Sequence, residues 1–182
     1  AEWGETPGAF EAAVEAVESA DIVIANLLFL EEHVKPILPH LEAARERCDA
    51  FAGVIADAQI VRLTKMGTLD MSAPDSGMRK LIKKLRGSSK PSGDSGESKM
   101  KMLRRLPKIL RFVPGKAQDL RAWFLVMQYW LGGSDDNIEA MLRFLMSRYC
   151  RHEAWRGGEA PAPVEYPEVG LYHPDLPERI VE

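Results

Sequence analysis

The spacing of apolar and polar positions along the chain predicts its elements in order. Phe10, Ala13, Val14 and Val17 recur at helical spacing behind Thr6 and Pro7, which suit an N-cap and a first helical position, and Ser19-Ala20 closes that helix. DIVIANLLFL, led by Asp21, is a continuous apolar run of the kind that forms a strand buried on both faces of a parallel sheet. Glu31 and Glu32 favour a helix N-terminus, Val34, Ile37, Leu38 and Leu41 form its apolar stripe, and Arg45 and Arg47 lie near its end. Pro36 and Pro39 predict an irregular first turn or a kink there. AFAGVIA, closed by Asp57, predicts a second buried strand. Strand, helix and strand make a βαβ unit with a right-handed crossover. Two strands do not make a stable sheet, so further strands are expected upstream of Ala1.

Beyond Asp57 the pattern turns helical. AQIVRLTKM predicts a helix ended by Gly67, with Asp57 as its N-cap. The other reading of Asp57 is a ligand-contacting group, because open α/β sheets place such groups at the carboxyl ends of their strands. GMRKLIKKLRG predicts a short basic helix, and SSKPSGDSGES a mobile Ser/Gly/Pro loop. In KMKMLRRLPKILRFVPG, Leu103, Leu106, Leu110 and Val113 lie on one face. Lys101, Arg104, Arg105, Lys108 and Arg111 lie on another, with Pro107 kinking the run. A helix from about Ala117 to Leu131 carries Leu120, Trp123, Phe124, Met127, Trp130 and Leu131 on one stripe, with Leu125, Val126 and Tyr129 on the other side, and so belongs buried among several neighbours. Gly132-Gly133 ends it. Ser134 caps a last helix whose Ile138, Met141, Leu142, Leu145 and Tyr149 face inward. A proline-rich linker leads to VGLYHPDL, a strand stopped by a proline.

These elements predict an α/β protein, a partial Rossmann-like βαβ unit followed by a helical lobe. Its divisions fall at 1–76 for the α/β part, 77–156 for a basic helical lobe with a mobile loop at 87–98, and 157–182 for the linker and the first strand of a next domain. The start at Ala1 rather than Met, and the stop at PERIVE, read as an excerpt from a longer polypeptide.

Charge changes the picture more than composition does. The chain is 46% hydrophobic and 28% charged, as globular proteins are, and no apolar run approaches the roughly 20 residues that cross a bilayer. Cys48 and Cys150 are too few and too far apart for a disulfide framework, which points to a reducing, intracellular compartment. The formal net charge of −3 conceals a strong asymmetry. Residues 1–78 hold 5 Lys+Arg against 14 Asp+Glu, residues 79–121 hold 14 against 3, and residues 122–182 hold 5 against 10. Such a basic middle suits an anionic counterpart: nucleic acid, an acidic protein surface, an anionic ligand or headgroups at a membrane surface. A solvated helix face is the plain alternative.

Familiar catalytic motifs do not hold. Gly93-Asp94-Ser95-Gly96 spells most of a trypsin-like nucleophile motif, but Glu97 follows it, its setting is helical, and no histidine has the context of a general base. The same loop does not fit a P-loop and does not follow a strand. His33, His40, His152 and His173 lack metal-ligand spacing. Trp123 and Trp130 could offer a flat ligand a stacking face, although aromatic residues at this spacing more often form core.

IVRLTKMGTLDM, the block from KKLRGSSKPSGDSGESKMKMLRRLPKILRFVPG through KAQDLRAWFLVMQYWLGGSDDNIEAMLRFLMSRY, and the exit VGLYHPDL resemble the large (H) subunit of magnesium chelatase from about Asp21 onward. The variant SRYCRHEAWRG looks like the bacteriochlorophyll branch. The resemblance implies an N-terminal part of the porphyrin-binding subunit of an enzyme that inserts Mg2+ into protoporphyrin IX, with ATP hydrolysed by separate AAA+ subunits. It implies no catalytic residue and no cofactor bound within these residues. Its expected partners are the remainder of the large subunit, the AAA+ subunits and protoporphyrin IX, with no nucleic acid and at most peripheral membrane contact. The implied location is the cytoplasm of a photosynthetic bacterium, or the plastid stroma in a plant or alga. The large subunit of cobalt chelatase, which shares the exit-strand pattern, is the alternative within the superfamily. A nucleic-acid-binding module is the alternative outside it.

Overall fold

A computed structural model describes residues 6–73, 110 and 115–165, with the backbone of 171–172 and 180–181. Helix α1 spans Ala9–Ser19 and starts two residues later than Thr6-Pro7 predicts. Gly8 takes a left-handed φ of 78°, so the chain turns there before the helix begins. Strand β1 is only Ile22–Asn26, and its burial alternates. The rest of the predicted apolar run leaves the sheet, with Leu27, Phe29 and Leu30 more than half exposed. Helix α2 runs unbroken from Glu31 to Arg47 through both prolines, instead of opening with an irregular turn. Pro36 and Pro39 sit on its exposed side, where water can satisfy the carbonyls that lack an N–H partner.

Strand β2, Ala50–Val54, pairs in parallel with β1 from Ile22↔Ala50 to Asn26↔Val54, and all five of its residues are buried. Helix α3 is Ala58–Arg62, capped by Asp57, whose carboxylate accepts the Gln59 N–H at 2.8 Å. It stops well short of the predicted Met66. Thr64 is fully buried, and its hydroxyl accepts the Gly53 N–H at 3.1 Å and donates to the Gly53 carbonyl at 3.3 Å. That anchoring turns the chain back as strand β3, Lys65–Met66, antiparallel to β2. Strand β4, Leu69–Asp70, pairs with β3 across the turn at Gly67-Thr68. Gly67 therefore sits in a hairpin, at φ 55°, and not at a helix end. Among the described residues the sheet has four strands in the order β1-β2-β3-β4.

Two helices close the other face. Helix α4, Lys116–Gly132, ends on Gly133 in the left-handed conformation. Helix α5, Asp135–Tyr149, starts from Ser134, whose hydroxyl accepts the Asn137 N–H. The predicted bounds of these helices hold to within a residue or two, but Leu131 at the last turn of α4 and Leu142 on α5 are 44% and 45% exposed rather than inward-facing. The period of two along the strands divides the apolar residues between two cores. Val23, Ala25 and Phe51 meet α1, α2 and α3 on one face. Ala50, Ala52, Val54, Met66 and Leu69 meet Leu120, Phe124, Met127 of α4 and Met141, Leu145 of α5 on the other. The result is a three-layer α/β/α arrangement. A single 3-10 turn, Glu153–Trp155, follows α5, and strands β5 (Leu171–Tyr172) and β6 (Ile180–Val181) pair as a separate antiparallel ribbon.

Gly53 is the tightest backbone approach in the sheet. A Cβ there would lie 2.4 Å from the Ile60 carbonyl oxygen, which is backbone and cannot rotate away. Gly53→Ala is expected to lower unfolding stability by about 1–3 kcal/mol, the range of overpacked cores. Denaturant melts of the two proteins side by side measure it.

Candidate functional site

The carboxyl edge of the parallel pair is the first place to look for function in such a sheet. Both strands end there in the same unusual way. Leu27 after β1 and Ile55 after β2 take positive φ values of 53° and 48°. Left-handed backbone costs a β-branched or bulky residue on the order of 1–2 kcal/mol. The surroundings hold both residues in place, since the Leu27 N–H donates to the Ile55 carbonyl at 2.9 Å and the Asp57 N–H to the Leu28 carbonyl at 2.8 Å. The coupled turns point an apolar strip outward, with Leu27 at 58%, Phe29 at 55% and Leu30 at 55% exposure. Asp57 stands at this edge, and its carboxylate spends a hydrogen bond on capping α3.

The aromatic candidates lie elsewhere. Trp123 is partly buried on the α4 face of the sheet, its indole N–H donating to the Gly53 carbonyl at 2.9 Å and its ring edge-on to Phe124 at 5.1 Å. Trp130, two turns further along α4, packs partly buried against the same core. Lys101, Arg104, Arg105, Lys108 and Arg111 lie outside the described residues, as do the predicted basic helix and Ser/Gly loop. The structure brings Trp123 to β2, the strand that leads into Asp57, and does not bring the aromatic and acidic candidates into one cleft.

Three polar constellations escaped the sequence reading. Asp119 on α4 accepts the Thr68 N–H and hydroxyl, both at 2.8 Å, the Tyr149 hydroxyl at 2.9 Å and an Arg148 N–H at 3.3 Å. It thereby locks the β3–β4 hairpin to α4 and α5. Burial pushes the Asp119 carboxyl up, but these donors outweigh it and hold the carboxyl below its ordinary value. Burial pushes the Tyr149 phenol far up, so it stays a donor. A Cβ on Gly67 would lie 2.7 Å from the Asp119 carboxylate, so the turn must be glycine for two reasons. Arg45, which is buried, donates to the Leu63 carbonyl at 2.9 Å, to Asp70 at 2.6 Å and to Ser72 at 2.8 Å, and it pairs with Glu46. It fastens α2 to the hairpin.

The third constellation holds the proline-rich stretch. Asn137, 1% exposed, donates from its amide to the Val164 carbonyl at 3.1 Å and accepts the Val164 N–H at 2.9 Å. The Tyr129 hydroxyl donates to the Pro161 carbonyl at 2.5 Å. A side-chain amide here mimics one rung of a β-ladder. Gly132 makes room for it, because a Cβ there would stand 2.3 Å from the Asn137 amide nitrogen. The signal in the sequence was an asparagine inside an otherwise apolar helical stripe.

Chemistry is sparse. Among the described residues, no group of three or more His, Cys, Asp or Glu is placed to hold a metal ion. Cys48 and Cys150 are free thiols, and burial pushes Cys48 up, away from thiolate reactivity. No described helix is long and apolar enough to cross a membrane. A shallow groove of about 450 Å³ between α1 and α2 is lined by Phe10, Val14 and His40 with Glu11, Glu15 and Glu18, an acidic rim unsuited to an anionic ligand. The polar clusters of the described residues join helices to the sheet and to the stretch after α5.

Comparison with known proteins supplies the context. A family described as a domain of unknown function, DUF3479, matches residues 1–124, and the CobN/Magnesium Chelatase family matches residues 127–182. The chain is 68% identical over 180 residues to the magnesium-chelatase H subunit of Cereibacter sphaeroides, covering 99% of this chain and 15% of that protein. It is 62% identical over 180 residues to the H subunit of Rhodobacter capsulatus, again 99% of this chain and 15% of that protein. To the chloroplastic magnesium-chelatase subunit ChlH of Oryza sativa subsp. indica it is 34% identical over 164 residues, 87% of this chain and 11% of that protein. The chain spans about 15% of the length of the two bacterial relatives.

Asp119→Asn and Asn137→Ala test the two clasps separately. A carboxyl whose folded pKa is depressed contributes stability above its unfolded value of about 3.9, and that contribution is lost as pH falls through the folded value. Asp119→Asn is expected to lower stability at neutral pH by about 1–3 kcal/mol and to flatten the acid limb of the stability–pH curve, read by thermal melts from pH 7 down to pH 3. Asn137→Ala is expected to leave the melt of the core nearly intact and to speed protease cleavage within residues 157–165.

Proposed function

The chain belongs to the DUF3479 family, in the form carried by the H subunit of magnesium chelatase, and we propose that it serves as an N-terminal scaffolding segment of the large subunit of a magnesium chelatase. In this reading the whole enzyme inserts Mg2+ into protoporphyrin IX during bacteriochlorophyll synthesis, and ATP is hydrolysed by separate AAA+ subunits. The observation that carries the proposal is the 68% identity to a magnesium-chelatase H subunit across 99% of the chain. It favours magnesium over cobalt chelation, and both over a nucleic-acid module.

The segment's own work is positional. Its described residues hold no metal-binding group, and their polar clusters are engaged in joining helices to the sheet. In this reading the reaction's metal and porphyrin are substrates held by other parts of the subunit. The basic face of Lys101, Arg104, Arg105, Lys108 and Arg111 is the counterpart of an acidic surface, on an AAA+ subunit or on another domain of the large subunit. Trp123 is held on Gly53 by its indole N–H and serves the core rather than the macrocycle. The proposed setting is the cytoplasm of a photosynthetic bacterium.

In the full-length subunit, the triple reversal Arg104→Glu, Arg105→Glu, Lys108→Glu is expected to weaken association with the AAA+ subunits at least tenfold. That association should fall more gently with salt than in the unaltered protein, since fewer charge pairs are left to screen. Porphyrin fluorescence quenching should be unchanged. Lost quenching with normal assembly would reassign the basic face to the porphyrin propionates.

A further inference from the structure

We infer that the sheet of this segment is completed by a parallel strand from the polypeptide that precedes residue 1 in the full-length subunit, added along the open edge of β1. The inference rests on the reading of the chain as part of a larger subunit, but its evidence lies in the fold. In the strand order β1-β2-β3-β4, β1 is terminal, and among the described residues nothing pairs with its outer side.

Backbone parity shows what that edge offers. The Asp21 carbonyl accepts the Asp49 N–H at 2.7 Å, and the Leu27 N–H donates to the Ile55 carbonyl at 2.9 Å. Odd-numbered residues of this strand therefore turn their amides and carbonyls toward β2. With a period of two, those of Ile22, Ile24 and Asn26 face outward. An outer edge exposed to water is normally blunted by lysine, proline or a bulge. Strand β1 is Ile-Val-Ile-Ala-Asn, with none of these. Its side chains read as those of an interior strand, and Ile22 and Ile24 are only partly buried where a neighbour would cover them.

The position of α1 fixes which segment and which direction. Only Ala20 and Asp21 separate α1 from β1, and α2 likewise ends just before β2, so both helices finish at the amino edge of the sheet. Arg47 at the end of α2 donates to the Val17 and Ala20 carbonyls at 2.9 and 3.1 Å, seating α1 beside α2 on the same face. Helix α1 thus occupies the crossover position of a βαβ unit whose second strand is β1. Crossovers of one hand on one face step the sheet in one direction. Since α2 carries the chain from β1 to β2, α1 must carry it to β1 from a strand on the opposite side, which is the open edge. That first strand precedes α1, and its carboxyl end lies beside Leu27.

Hydrogen exchange on the full-length subunit tests this without reference to activity, so it stands or falls separately from the chelatase assignment. The amides of Ile22, Ile24 and Asn26 are expected to exchange as slowly as those of Val23 and Ala25, more than about 100-fold slower than open-edge amides. Fast exchange at the even positions beside protected odd positions would overturn the inference. Deleting the polypeptide before residue 1 is expected to release the even amides alone. If they stay protected, another segment or partner covers the edge and the assignment to the preceding strand is wrong. Should the deletion unfold the segment, the intact subunit decides. Ile24→Pro removes an outward N–H and is expected to lower the melting temperature well beyond Ile24→Ala, whereas equal effects would mean that the edge is open.

Discussion

Every layer of this structure meets at β2, and the governing constraint is that a strand with no exposed residue must have each backbone group and each side-chain site answered by a neighbour. Gly53 shows how closely that is met. Its N–H and carbonyl engage the Thr64 hydroxyl, the same carbonyl receives the Trp123 indole, and its missing Cβ lets the end of α3 pass at backbone distance. Thr64 thereby shapes the return into β3, and Trp123 fixes the height of α4 over the sheet. The small residues Ala50, Ala52 and Gly53 are a condition of the three-layer packing, not a weakness of the strand.

Around that centre, buried ionic and polar groups act as joints between elements distant in sequence. Asp119 ties the hairpin to the last two helices, Arg45 ties α2 to the hairpin, and Asn137 ties α5 to the stretch beyond it. Asp49 adds a fourth joint, accepting the Arg151 N–H at 2.6 Å and pairing with its guanidinium, which links the end of α5 to the start of β2. Each such group would be costly if left unpaired, so each specifies one arrangement of helices and sheet. At the periphery lie the apolar strip of Leu27, Phe29 and Leu30 and the outer edge of β1, which pairs with nothing among the described residues.

The two coupled turns after β1 and β2 illustrate how local rules yield to tertiary ones. Leucine and isoleucine do not choose positive φ, yet Leu27 and Ile55 adopt it side by side and share a hydrogen bond. Periodicity extends both strands further, because the residues that follow are apolar. The strands stop because the two turns bond to each other, a fact that belongs to neither sequence alone.

The sequence by itself determined the parallel βαβ unit, the caps at Asp57 and Ser134, the stop at Gly133 and the buried character of α4, since each rests on spacing or conformational preference within a few residues. It also carried the likeness to the large subunit of magnesium chelatase in long, specific stretches. Only the tertiary structure decided that KMGTLD is a hairpin instead of the end of a helix, because Thr64 reaches eleven residues back to Gly53 and Asp119 reaches fifty-one residues back to Thr68. It likewise decided that Arg45 is buried, that Leu27, Phe29 and Leu30 are exposed, and that Asn137 holds Val164. These outcomes depend on partners brought close by folding, and no window of a few residues contains them.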